Sequence, residues 1–505
     1  MRWAFGLALY AHTCFFLGLL GLLRPWPVLA VTAVFAVAAL RLNVARPRVA
    51  WLAAVPPFVL ALYPAIAFDE TLYHLPFVQA FARDGALRFH PDLRFPVFPV
   101  LHEVLCVPPF LLGGDVATHL VALLELVLIV ALLMDWDARA GWLAAALFVG
   151  SPLVVQLATT LHVELALTLF VVAGLRALAL ERYALAGFFL GSACSVKYLG
   201  IYFAAAALVM LLAGAGWQPA DRPASRRRAA GLFALTCALT ALPMTAWIFF
   251  HTHDPLFPFL RPSLWSLDAP APVLWTDRVL LLWNVTFGRD RVGMQPPVTP
   301  FLVPLVIVLI VAAVKRDALA RVVLWMSAVY VVVFNFLPQD VRYLVPLLPL
   351  LCIVAASFLA ARWPKLVPVL AILAIAPGIA YAGYRIARQG PPPVIDDGKR
   401  EAWLAEHIPE YRALRLAGTA RVYACRGERL KAHAAGQLLG DHNGPWSYER
   451  ILTGAVDTRT LAERMRAIGA RYYLVVKAAC PPPVPNGGLT LVHEDAATQL
   501  WRAPR

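Results

Sequence analysis

The chain has 505 residues, of which 61% are hydrophobic and only 15% charged, with a mean hydropathy of +0.69. That balance excludes a soluble globular protein, because apolar runs long enough to span a bilayer, roughly 20 residues each, recur along most of it. The formal net charge of +14 does not point to nucleic acid, since the basic residues gather in short loops and no basic face is interleaved with stacking aromatics.

The first apolar run, near 3–23, ends at Arg24-Pro25 with no small-residue cleavage site, so it reads as a retained helix and not a removed signal peptide. Further spans are expected near 27–44, 49–67, 116–134, 140–158, 162–180, 184–198, 200–214, 230–250, 300–314, 319–337, 343–360 and 366–386. The total is about thirteen transmembrane helices. Arg41, Arg46 and Arg48 share one short loop. Arg222, Arg226, Arg227 and Arg228 share a second, Lys315, Arg316 and Arg321 a third, and Arg362 with Lys365 a fourth. These clusters fall on one side, which marks the cytoplasm and puts the amino terminus inside and the carboxyl terminus outside.

The arrangement requires that 70–115 not cross the membrane. Pro91, Pro96, Pro99, Pro108 and Pro109 interrupt that stretch, and its pieces 73–82 and 101–112 read as short helices lying at the interface. It forms a first outer loop, about 68–115, and a second runs over about 251–299, rich in proline and tryptophan. Long loops without regular structure of their own tend to be functional. Residues 1–390 thus form one transmembrane domain.

After Gln389-Gly390-Pro391-Pro392-Pro393 the composition changes. Residues 394–505 carry helix-like runs at 400–407 and 461–468 and β-rich runs at 421–425, 471–476 and 489–492. This predicts a small extracytoplasmic α/β domain. Of seven cysteines, Cys14, Cys106, Cys194, Cys237 and Cys352 lie singly in apolar surroundings. Cys425 and Cys480 lie in the polar tail, where an oxidising compartment would permit a disulfide, and no zinc-ligand spacing is present.

Several groups could carry chemistry. Asp69 and Glu70 stand where a helix would emerge from the bilayer; they are either a solvated helix end or a general base with a supporting acid. Glu164 lies at a turn on the same expected side, either as an ordinary hairpin acid or as a partner of Asp69 in orienting an acceptor or holding a divalent cation. Lys197 with Tyr198, and Arg342 with Tyr343, are either snorkelling interfacial anchors or phosphate contacts, for which an arginine fork is well shaped. His74, His162, His253 and Asp254 sit in or beside the outer loops as candidate substrate-loop residues; for the histidines the plain alternative is a hydrogen-bonded structural role.

Five fragments coincide in order over about 50–390: Phe68-Asp69-Glu70 with Tyr73-His74-Leu75-Pro76, His162-Val163-Glu164, Val196-Lys197-Tyr198-Leu199-Gly200, Asp254-Pro255-Leu256-Phe257-Pro258-Phe259, and Arg342-Tyr343 with Pro346 and Pro349. Together they resemble the GT-C membrane glycosyltransferases, the superfamily of protein O-mannosyltransferases and lipid A aminoarabinose transferases. The resemblance implies an all-α polytopic membrane enzyme working on the outer face of a bacterial inner membrane, the expected location, or in the ER lumen. Its donor would be a polyprenyl-phosphate-linked sugar and its acceptor a lipid, glycan or protein. Asp69 would be the base, Glu70 and Glu164 supporting acids, and Lys197 and Arg342 the contacts to the lipid phosphate. The chain departs from that pattern in two extra spans before the acidic loop and in a glutamate, within a histidine context, as the second-loop acid. Acceptor class and dependence on a divalent metal ion stay open. The rival functions are a transporter or flippase of lipid-linked sugars and a non-catalytic assembly protein. A transporter should show ionisable residues at mid-helix and two related halves, and no internal repeat is visible.

Overall fold

The computed structural model describes residues 1–41, 47–214, 223–266, 274–288, 296, 298–338, 340–394, 396–455 and 457–504. Arg46 and Arg222 of the basic loops, the end of the expected span 27–44, and 267–273, 289–295 and 297 of the second outer loop lie outside the described residues. The chain packs into two compact units. One comprises Met1–Leu62, Pro99–Trp247 and Ala269–Pro392; the other comprises Tyr63–Phe98, Ile248–Asp268 and Pro393–Arg505. The expected first outer loop is therefore divided between them at Phe98.

The first unit is helical. Among the described residues, four helices are long and apolar enough to cross a membrane: Leu101–Trp136, Ser225–Thr252, Val341–Arg362 and Pro364–Gln389. Shorter apolar helices include Pro25–Arg41, Tyr183–Val196, Leu199–Ala213, Leu302–Val314 and Ala318–Phe334. The window of highest hydropathy is only 22% buried in Ser225–Thr252 and 17% in Pro364–Gln389. Faces this apolar, carrying Leu235, Leu239, Ile372 and Leu373 outward, are stable only against lipid. The chain is an integral membrane protein.

Two expectations change in this unit. The span expected at 49–67 is not one continuous helix but a succession of short turns, Pro47–Ala50, Trp51–Ala54, Val55–Phe58 and Leu60–Leu62. Pro56, Pro57 and Pro64 remove backbone donors there, so an unbroken hydrogen-bond ladder cannot form. The stretch 101–112 is not an interfacial helix with one wet face, since all of its residues from Leu101 to Pro108 are buried. It is the first arm of Leu101–Trp136, which breaks at Gly113 and Gly114. His102 Nδ1 lies 3.0 Å from Glu125 Oε1 across 23 residues, a separation of about 35 Å in a straight helix. The two arms therefore run back along each other. Gly114 makes the turn at φ 67°, ψ −155°, a conformation open essentially to glycine alone.

The second unit holds a five-stranded sheet. Its strands are β1 (Val422–Cys425), β2 (Leu438–Leu439), β3 (Tyr472–Val476), β4 (Thr490–Glu494) and β5 (Thr498–Arg502), in the order β2-β1-β3-β5-β4. β1 runs parallel to β2 and β3, while β5 is antiparallel to β3 and β4. Helix Thr458–Ala467 buries Leu461 and Met465 against Tyr423, Val475 and Trp501. Its first turn is capped by Asp457, whose carboxylate accepts from the Arg459 and Thr460 N–H groups at 2.9 Å each. Cys425, at the end of β1, is disulfide-bonded to Cys480.

Candidate active site

Glu164 is the first residue of helix Glu164–Ala179, where the partial positive charge of the helix N-terminus favours a carboxylate. Its side chain is 1% exposed, and Oε1 accepts from Lys197 Nζ at 2.7 Å. Arg342 Nε lies 3.6 Å from the same oxygen. Lys197 reaches it because helix Tyr183–Val196 ends there and the chain turns extended before Leu199–Ala213 begins, with Tyr198 at the start of that helix. A side chain at Gly200 would overlap the Ala193 backbone, so the turn closes only with glycine.

Arg342 sits in the 3-10 turn Val341–Leu347, which leads into Leu348–Arg362. Asp340 holds it twice: Oδ1 accepts from the Arg342 N–H at 3.1 Å, and Oδ2 lies 2.9 Å from Nε. The Tyr343 ring lies 4.3 Å from the Lys197 ammonium and 5.5 Å from the Arg342 guanidinium, within range of cation–π attraction. The Tyr343 carbonyl accepts from Tyr330 OH at 2.7 Å, and Tyr330 stacks on Phe203 at 4.7 Å. The first unit thus gathers two cations, two carboxylates and an aromatic face in a buried cluster. Asp340 and Tyr330 escaped the sequence reading; an acid two residues before an arginine at a helix start was the one signal for Asp340.

This cluster does not fit a divalent cation held by Glu164, because the carboxylate already faces two cationic side chains. Among the described residues, no group of three or more His, Cys, Asp or Glu side chains is arranged to hold a metal ion. His162 shares a 2.8 Å hydrogen bond with Thr160 Oγ1 and belongs to its own turn.

Asp69, Glu70 and His74 belong to the second unit. Asp69 is half-buried, and its Oδ2 accepts from Tyr73 OH at 3.2 Å. Glu70 is buried, and its Oε2 accepts from the Ala67 N–H at 3.2 Å. Residues Glu70–His74 form a π-helical turn ahead of helix Leu75–Asp84. Pro76 has no N–H to offer the Leu72 carbonyl, so the α pattern cannot run through this point and the wider turn takes its place. The turn brings the Tyr73 and His74 rings to 4.1 Å and packs on the segment Glu428–His433. His253 is exposed, at φ 56°. Asp254 is buried and accepts from the N–H groups of Leu256, Leu260 and Arg261 at 2.9, 3.1 and 3.1 Å. Its carboxylate is taken up by the loop's own backbone.

No family model and no curated protein matches the sequence. Solved structures do. ArnT from Cupriavidus metallidurans in the apo state superimposes with a TM-score of 0.58 at 15% identity, over 89% of this chain and 96% of that one. ArnT bound to undecaprenyl phosphate gives 0.56 at 14% identity over the same shares of the two chains. The arabinofuranosyltransferase AftD from Mycobacteria gives 0.49 at 17% identity, over 92% of this chain and 40% of that one. The likeness to ArnT over nearly the whole of both chains shows a shared fold.

Proposed function

We propose that the protein is a membrane glycosyltransferase that moves a sugar from a polyprenyl-phosphate donor to an acceptor hydroxyl on the extracytoplasmic face. The observation that carries the reading is the joining of Lys197, Arg342 and Tyr343 around Glu164 in a chain with this fold. Such a cluster suits a phosphate whose negative charge grows as it departs. An ArnT of the same fold has been solved with undecaprenyl phosphate, which supports a lipid phosphate as the ligand.

In this mechanism Asp69 accepts the proton of the acceptor hydroxyl as its oxygen attacks the anomeric carbon. The bond from that carbon to the phosphate oxygen breaks, and its electron pair stays on the polyprenyl phosphate. A single displacement inverts the anomeric configuration and needs neither a nucleotide sugar nor a covalent enzyme intermediate. Lys197 and Arg342 stabilise the leaving phosphate. Glu164 and Asp340 hold the two cations in position, and Glu70 braces the turn that carries Asp69 through its bond to the Ala67 N–H. The Cys425–Cys480 disulfide supports an extracytoplasmic tail, because such bonds persist in oxidising compartments.

The test is transfer from a radiolabelled polyprenyl-phosphate sugar in membranes, comparing the wild type with Asp69→Asn. Loss of transfer by a folded Asp69→Asn protein is expected, and full transfer would overturn the assigned base. Sidedness has its own check: a cysteine placed at Arg450 should react with an impermeant thiol reagent from outside, and labelling from the cytoplasm alone would reverse the arrangement.

A further inference from the structure

The second unit contains a polar cavity of about 570 Å³, lined by one face of helix Leu75–Asp84, the segment 90–93 and the chain from Lys431 to Leu438. That volume lies within the range of small-molecule sites. Pro76, Gln79, Ala80 and Arg83 recur at helical spacing, so they form one wall. Gln79 Nε2 donates to the Ala432 carbonyl at 2.9 Å, which fixes the amide and leaves its oxygen as an acceptor. Lys431 crosses the floor, donating to the Asp92 carbonyl at 2.6 Å and to the Leu438 carbonyl, with the Asp92 carboxylate at 3.5 Å. Ala434, Ala435, Gly436 and Gln437 form the opposite rim.

Two features of the lining select a ligand class. First, its charges are compensated inside the unit: Arg83 pairs with Asp84 at 2.9 Å and Lys431 with Asp92 at 3.5 Å, while the His90 ring, 3.3 Å from Asp84, is neutral. The cavity therefore offers no unbalanced charge to an ion, only mixed donors and acceptors. Second, the adjoining sheet edge, β2, is two residues long, too short to add a peptide strand. A neutral ligand with many hydroxyl groups satisfies both conditions. The cavity also shares a helical run with Asp69, and Gln79 stands ten residues further on, about 15 Å along the axis.

We propose that this cavity is a subsite for a neutral, hydroxyl-rich oligosaccharide, the distal part of a glycan acceptor whose reacting end lies at Asp69. The proposal rests on the reading of Asp69 as the base. The test uses the full chain purified in detergent and measures its binding to short neutral oligosaccharides, to uronic-acid-containing oligosaccharides and to unstructured peptides, with no donor lipid present. Neutral oligosaccharides should bind. Ala435→Trp, which fills the cavity from an exposed rim position, should weaken that binding about tenfold, and Gln79→Ala by a similar factor, the worth of one lost hydrogen bond. An intact Cys425–Cys480 disulfide reports that each variant has folded. No binding of any oligosaccharide, binding of the acidic sugars or peptides alone, or binding indifferent to both substitutions would each overturn the subsite. Because the assay contains no donor, glycan binding without detectable transfer counts against the transferase alone. Transfer to a glycan with binding untouched by either substitution counts against the subsite alone.

Discussion

His102 and Glu125 face each other at 3.0 Å with no exposed side-chain surface, although they are 23 positions apart in the chain. Cys106 Sγ lies 3.6 Å from the other ring nitrogen, His102 Nε2. The pair is symmetrical about Gly113 and Gly114, so their turn sets its geometry. Gly114→Ala should destabilise the protein by about 1–3 kcal/mol, because alanine resists the backbone angles the turn requires. Thermal unfolding in detergent checks this; a melting temperature equal to the wild type would mean that the turn does not constrain the arms.

The Glu164 cluster makes a second prediction. Removing one member of a buried ion pair strands the other, at a cost of about 3–5 kcal/mol. Lys197→Met should therefore destabilise strongly, and adding Glu164→Gln should recover part of the loss. A double-mutant cycle by denaturation reads the coupling. Simple additivity would show that the two side chains do not sense each other.

Arg342→Lys keeps a charge but loses the planar guanidinium, whose Nε lies 2.9 Å from Asp340. Transfer should fall by about a hundredfold, the usual effect of losing one donor that stabilises developing negative charge. A melting temperature in detergent close to that of the wild type should accompany the change, which separates lost chemistry from lost folding.

His90 gives a pH dependence. Burial pushes its pKa below 6.5, and this outweighs the opposing pull of Asp84 and Asp92; Arg83 and Arg88 push the same way as burial. The folded state thus holds the neutral ring, and the stability this confers is present above pH 6.5 and lost as pH falls through the lowered folded value. Melts recorded from neutral to mildly acidic pH should show this loss, and His90→Gln should flatten it. An unchanged slope in that variant would assign the effect elsewhere.

Much of this architecture is legible in the sequence. Apolar runs and clustered arginines mark membrane helices, and the runs at 421–425, 471–476 and 489–492 become β1, β3 and β4. β2 gives no such signal, because two residues carry no periodicity, and β5 is recognised only through its pairing with β3 and β4. Helix-end positions flag Glu164, Lys197 and Arg342 one at a time. Their meeting is tertiary and has no local mark, since 33 residues separate the first pair and Arg342 arrives from a distant segment. Asp254 shows the opposite case: a conspicuous acid near a loop's start whose hydrogen bonds all stay within the loop.

The order of the Glu164 partners along the chain bears on biogenesis. Helices Glu164–Ala179 and Tyr183–Val196 pack on each other, and the lysine that answers the glutamate follows the second of them directly. The acid and its counter-ion are therefore synthesised within one helical hairpin, well before Arg342 leaves the ribosome. A buried carboxylate that had to wait for a distant arginine would enter the bilayer bare, at a cost of several kcal/mol. Here insertion can proceed with the charge already neutralised, and the later arrival of Arg342 completes a cluster instead of rescuing one.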